Sequence, residues 1–244
     1  MDTPLTLNKH GFKSFEEMLP KTTVIGSTGL IGKHFLESIS GCDFQNVTAV
    51  TRKMIPSLEN KNFIKQAIHD FSDLEMMRSD LKTDVLVCAI GTTIKKAGSP
   101  DQFMKIDHDL PLEISKMAKE EGCKTMILIS SVGANSQSTI FYNRVKGLLE
   151  EAIEGICFER FHILRPSLLL GKRTENRPVE FISKLAIQPI SFLISWKYRP
   201  IHAINIASTI QHLIRDNETG KHIWEGKVLF EMSRSRNYNY NQSY

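Results

Sequence analysis

The sequence predicts an α/β fold: a doubly wound parallel sheet carrying a small C-terminal substrate lobe. Two observations predict it. Short apolar, β-branched runs alternate with helical stretches of roughly 10–15 residues, the pattern of β-α-β units. A glycine turn, Gly26-Ser27-Thr28-Gly29-Leu30-Ile31-Gly32, stands between the first run and the first helical stretch.

The elements follow in order. Thr22–Ile25 is a short strand ending on glycine, and Leu30, Ile31, Phe35, Leu36 and Ile39 then recur at helical spacing. Residues 47–50 and 62–67 read as the next strands, and 84–90 (DVLVCAI) as the clearest buried one. Residues 102–121 read as one long helix with Phe103, Ile106, Leu110, Ile114 and Met117 on one side. Pro111 marks a kink or break in it. Asp101 and Asp107 are expected as helix-start and helix-surface acids, with Asp107 also able to face inward. A strand at Thr125–Ile129, a helix at Phe141–Glu154 and a strand at 161–164 complete the clear alternation. After Pro166 the pattern loosens, although 203–215 is helical in character. The expected organisation is an extension at 1–20, with a short helix around 14–18, then a single domain at 21–232. Within that domain 167–232 forms the substrate lobe, and the acid-free stretch 233–244 is an expected disordered tail.

Composition narrows the function classes. The 244 residues are 41% hydrophobic and 24% charged, ordinary for a globular domain, which excludes disordered and fibrous classes. Of the net charge of +4, Arg234 and Arg236 in the tail supply two, so the body has no strong pull toward nucleic acid. Cys42, Cys88, Cys123 and Cys157 are scattered, without a CxxC pair. The eight histidines do not cluster, and no metal site is expected. Scattered cysteines suit a reducing compartment, and no basic-apolar-small leader pattern opens the chain. A cytoplasmic location is therefore expected. The apolar stretch 181–196 is interrupted by Lys184, Gln188 and Pro189. It is too short for a membrane span and reads as the core of the lobe.

The glycine turn carries the first chemistry. One glycine permits the tight turn, one lets the backbone approach a pyrophosphate, and one lets helix pack on strand. The helix N-terminus then offers free N–H groups and a positive dipole end to phosphates. The spacing is GxxGxxG rather than GxGxxG, a variant of the dinucleotide turn. All seven residues from Gly26 to Gly32 are cofactor-binding candidates. An NAD site usually places an acid about 20 residues further on, for the ribose 2′-hydroxyl. Arg52 stands there instead, followed by Lys53, with no acid nearby. A planar, permanently charged guanidinium suits a 2′-phosphate, so NADP(H) is the expected cofactor.

The second constellation is Ser–Tyr–Lys. Tyr142 and Lys146 are spaced i, i+4 and share a helix face. Ser130 and Ser131 follow the strand at Thr125–Ile129. A phenol can protonate a developing alkoxide, and an ammonium beside it eases that proton's departure. A serine hydroxyl can orient the carbonyl oxygen.

These segments together resemble the short-chain dehydrogenase/reductase superfamily, in its atypical branch, and within it the HIV Tat-interacting-protein oxidoreductase family. The resemblance covers about residues 20–215. It rests on GSTGLIG (26–32), TRK (51–53), Gly91-Thr92-Thr93 with Lys95-Lys96-Ala97-Gly98, Ile106-Asp107-His108-Asp109, SSVGAN (130–135), YNRVKG (142–147) and LRPSLLLG (164–171). It implies a Rossmann fold binding NADP, with Tyr142 and Lys146 as the catalytic pair and Ser131, which directly precedes VGA, as their serine. It implies Asp70 with Phe71 beside the adenine, and Ile90, Gly91 and Thr92 against the cofactor. Arg165 and Pro166 would pass beside the nicotinamide, and Thr93 and Arg177 would be weaker substrate contacts. Many superfamily members carry Asn for a water-borne proton relay where this chain has Asp107, and the relay is left unassigned.

The expected function is NADP(H)-dependent hydride transfer to or from a carbonyl or alcohol carbon of a small-molecule substrate. Two alternatives remain: a non-catalytic NADPH-binding module with a protein partner, and a nucleotide-sugar epimerase, which the small lobe disfavours. The oligomeric state is left as monomer or homodimer.

Overall fold

The computed structural model describes residues 19–42, 44, 46–171 and 198–235, the last three as backbone. The expected N-terminal helix near Ser14, the stretch 181–196, Arg177 and most of the tail lie outside the described residues.

Seven strands form one sheet: β1 (Thr22–Ile25), β2 (Val47–Thr51), β3 (Ile64–Ile68), β4 (Val85–Cys88), β5 (Thr125–Ile129), β6 (Arg160–Arg165) and, across its far edge, Gly220–Glu225. Every pairing is parallel. The order is β3-β2-β1-β4-β5-β6, then the edge strand. Chain direction of travel reverses between β1 and β4, so a crevice opens at their carboxyl ends. Register is set by apolar runs buried on both faces. Val24 joins the core on one face while Ile25 joins the core on the other. The same alternation separates Val87 from Leu86 and Cys88, and Ile127 from Met126 and Leu128.

Helix α1 (Leu30–Ser38) covers one face. The expected long helix is one helical run, Pro100 to Glu120, widened by a π turn. A single short turn, α2 (Ile94–Ala97), precedes α3 (Pro100–Met104), and a π-helical turn at Lys105–Asp109 leads into α4 (Leu110–Glu120). Pro111 directly follows the π turn, whose last bond runs from the Leu110 N–H to the Lys105 oxygen, so the helical run continues through the proline. The irregularity is this π turn before the proline rather than a break, and wide turns of this kind recur at functional sites. Helix α5 (Phe141–Glu154) has the expected limits.

The late part holds more structure than its sequence pattern suggests. Leu169–Leu170 (β7) pairs parallel with Ile201–His202 (β8), and α6 (Ala203–Leu213) packs on the α1 face. Gln211 Nε2 donates to Ser38 Oγ at 2.8 Å and ties the two helices together. The edge strand (β9) and helix α7 (Gly226–Ser235) close the lobe. Helix α7 runs three residues into the stretch expected to be disordered.

β6 and β9 share a ring stack in which His162 is buried. His162 and His222 are register partners with ring centroids 5.3 Å apart, and Trp224 Nε1 donates to His162 Nδ1 at 3.4 Å. His162 Nε2 is buried without a hydrogen-bond partner. Burial holds this imidazole neutral, with its pKa pushed down to about 4. A histidine whose folded pKa lies below its unfolded one gives stability that is complete above about pH 6.5 and lost as pH falls toward 4. The expected loss over that window is roughly 3 kcal/mol. Urea unfolding between pH 7 and 4.5 should show the slope, and His162→Phe should remove it.

Candidate active site

The glycine turn fits its expected purpose sterically. Gly26 has φ +81°, and a Cβ there would stand 2.4 Å from the Ala89 carbonyl carbon, at the end of β4. A Cβ on Gly32 would stand 2.5 Å from the Gly26 oxygen. Close packing of β1, α1 and the β4 end thus requires both positions to be bare. Gly29 is the N-cap of α1 and brings no capping side chain, so the first turn keeps its N–H groups for a ligand. Ser27 and Ile31 are buried, and Ser27 Oγ donates to the Val24 oxygen, so these two offer main chain only. Thr28 is exposed and Leu30 half-buried at the turn.

Around it stand the other cofactor candidates. Arg52 and Lys53 are exposed at the end of β2, where the buried Thr51 hydroxyl donates to the Lys53 oxygen at 2.8 Å. Neither cation has an ion-pair partner among the described residues. Asp70 is exposed beyond β3. Its Oδ1 accepts from the Ser72 N–H at 2.8 Å and the Ser72 hydroxyl at 2.7 Å, which lowers its pKa. Phe71, at φ +67°, packs back on the core. Ile90, Gly91 and Thr92 leave β4 beside the turn, but the Thr92 N–H is taken, donating to Asp107 Oδ2 at 2.9 Å. Thr93 Oγ1 accepts from the Lys96 N–H and caps α2, which engages its hydroxyl locally.

The catalytic candidates lie on α5 and on the turn that follows β5. Lys146 is buried, 3% exposed, with Nζ 2.8 Å from Asp107 Oδ1. Gly91 lies over this pair: a Cβ there would stand 3.7 Å from Asp107 Oδ1 and 3.8 Å from Lys146 Nζ. Burial works to lower the Lys146 ammonium, but Asp107 and Tyr142 more than offset it, and its pKa lies above the ordinary lysine value. Cys88, below on β4, is pushed up to about 11 by burial and remains a thiol. Tyr142, one turn before Lys146, is half-buried with its ring 5.5 Å from Phe103.

The two serines differ in their bonding. Ser130 is buried and its hydroxyl donates to Glu150, so it is committed to structure. Ser131 is half-buried, and among the described residues its hydroxyl has a single long contact, 3.4 Å to the Val132 oxygen. The Val132 N–H donates to the Pro166 oxygen at 3.0 Å and sets Pro166 beside the serine turn. The Arg165 guanidinium is held by Glu150, Nε to Oε1 at 3.0 Å, and by Glu225 at 3.3 Å.

Two functional-site residues differ from their sequence reading. Asp107 was expected first as a surface acid, yet it is wholly buried in the site. The signal was present: 103, 107, 110 and 114 fall on one helical stripe, and Asp107 occupies the core stripe of Phe103, Leu110 and Ile114. Glu150 went unremarked. It sits one turn after Lys146 on the buried face of α5, and it organises Ser130 and Arg165.

A phosphate turn at the switch point of a doubly wound sheet, with a buried lysine and a tyrosine on α5, defines a dinucleotide-binding α/β protein. The model of the NAD dependent epimerase/dehydratase family matches residues 22–189, and the chain belongs to that family. Protein fmp52, mitochondrial, of Emericella nidulans is 34% identical over 172 residues, covering 68% of this chain and 74% of its own. Protein HTATIP2 of Rattus norvegicus is 36% identical over 164 residues, covering 66% and 67%. The solved Bordetella bronchiseptica enzyme WbmH in complex with NAD+ shares the fold, with a TM-score of 0.66 at 12% identity, over 92% of this chain and 82% of its own.

One expectation is overturned. The cytoplasmic location does not stand, because the FMP52 relatives of several fungi are mitochondrial proteins by name. Scattered free thiols report a reducing compartment, and the cytosol is not the only one. No helix among the described residues is long and apolar enough to cross a membrane. No cluster of three metal-ligating side chains occurs among them either.

Proposed function

We propose that this protein is an NADP(H)-dependent oxidoreductase acting on a carbonyl or alcohol carbon, with Tyr142 as acid or base. The observation that carries the reading is the buried Lys146 ammonium, held beside Gly91 at the end of β4, one helical turn from Tyr142. A charge kept that deep in a protein is expensive, and such charges concentrate where chemistry uses them. The bound dinucleotide supplies the hydride chemistry. Gly26, Gly29 and Gly32 admit its pyrophosphate to the start of α1. Arg52 and Lys53 bind the 2′-phosphate, and Asp70 with Phe71 stands at the adenine end. Lys146 holds the ribose hydroxyls, Ser131 orients the substrate oxygen, and Tyr142 gives it a proton or takes one away. Arg165 is braced by two carboxylates, so its segment contributes main chain and the Pro166 ring.

The test is cofactor selectivity. NADPH should raise the melting temperature more than NADH at equal concentration. Arg52→Ala should reverse or erase that preference, lowering NADPH affinity by about tenfold, the value of one charge-assisted hydrogen-bond pair. An equal shift from both cofactors in the unaltered protein would remove the NADP assignment. A second reading, action on a nucleotide sugar, is favoured by the family match alone. Conversion of a UDP-hexose to its epimer in the presence of oxidised cofactor, with no net formation of NAD(P)H, would support it.

A further inference from the structure

We propose that Asp107 is a positioning residue for the Tyr142–Lys146 pair, its carboxylate keeping the Lys146 ammonium charged and fixed between the end of β4 and the phenol-bearing turn of α5. The inference rests on the catalytic reading of that pair.

The geometry is specific. Asp107 is fully buried and Lys146 is 3% exposed, and 2.8 Å separates Oδ1 from Nζ. Oδ1 meets the Lys146 ammonium as a close charge pair. Oδ2 accepts from the Thr92 N–H at 2.9 Å, which stops the carboxylate from rotating away. Asp107 lies in the π turn at Lys105–Asp109, which buries its side chain. The titratable groups facing Nζ are Asp107 from the π turn, Tyr142 from its own helix and Cys88 from β4. Only Asp107 among them brings a negative charge, since burial keeps the Cys88 thiol protonated. A lone buried ammonium loses its proton rather than bear the desolvation cost. Asp107 therefore decides whether Lys146 carries charge at neutral pH, and with it the grip on a ribose hydroxyl.

Asp107→Asn tests this, because the amide oxygen can still accept from the Thr92 N–H while the charge is gone. In the protein without cofactor, the variant's Lys146 has a folded pKa below its unfolded one. Its deficit in melting temperature relative to the unaltered protein should therefore be largest near pH 7 and narrow as pH rises toward 10. Adding Lys146→Met should abolish that pH dependence. NADPH affinity should stay nearly level from pH 6 to 9 in the unaltered protein and fall at least about tenfold over that span in Asp107→Asn. A deficit equal at every pH, as simple packing damage would give, overturns the proposal. Failure of the unaltered protein to bind NADPH would instead remove the proposed function, and the melting curves would still decide the role of Asp107.

Discussion

Tyr142→Phe is expected to lower turnover of a carbonyl substrate by about 10²–10⁴-fold, the usual worth of a positioned general acid. NADPH affinity should change by less than roughly threefold, because the lost hydroxyl is one contact among many to the cofactor. The ring keeps its packing against Phe103, so the melting temperature should hold. Steady-state kinetics with NADPH and a panel of aldehydes and ketones, beside a cofactor titration, separates the two effects. Unchanged turnover would sink the catalytic assignment and favour a non-catalytic NADPH-binding module.

The largest structural effect is expected at Gly147. This residue follows Lys146 on α5, and a Cβ there would fall 2.2 Å from the Asn135 carbonyl carbon and from the Ser136 nitrogen. Both obstacles are main chain and cannot rotate aside. Gly147→Ala must push α5 off the serine loop, at a cost of about 3 kcal/mol or more. For a chain of this size that lowers the melting temperature by roughly 6–12 °C. Gly155→Ala is the control. Its nearest obstacle is 3.4 Å away and its φ is helical, so the same change should be nearly neutral. Equal shifts in the two variants would contradict the close approach. The surviving folded fraction of Gly147→Ala should also bind cofactor poorly, because Lys146 moves with the helix.

The parts legible in the sequence share one physical trait: their signals are local. A strand buried on both faces is an apolar run, and a phosphate turn is a set of glycines at fixed spacing. Two groups on one helix face are four residues apart. Thr22–Ile25, Gly26 to Gly32, and Tyr142 with Lys146 are of this kind, and so are the limits of α5. The less legible parts depend on contacts made across the chain. The edge strand Gly220–Glu225 carries Lys221, His222 and Glu225, and its sequence reads as loop until β6 lies beside it. Glu150 has no local sequence signal, because its partners Ser130 and Arg165 reach it from two other elements. Asp107 is intermediate. Its position on the apolar stripe is visible in the sequence, but its meaning requires knowing that Lys146 waits opposite.

The π turn has a consequence for how this chain could have arisen and how it could be re-engineered. Such a turn holds about one residue more than an α-helical turn spanning the same rise. The helical run can therefore keep its apolar face on the core while the turn within it buries Asp107. Inserting or deleting one residue there changes which side chain is presented without redesigning either helix. The segment acts as an interchangeable socket, and the anionic plug it now holds is separable from the scaffold that holds it.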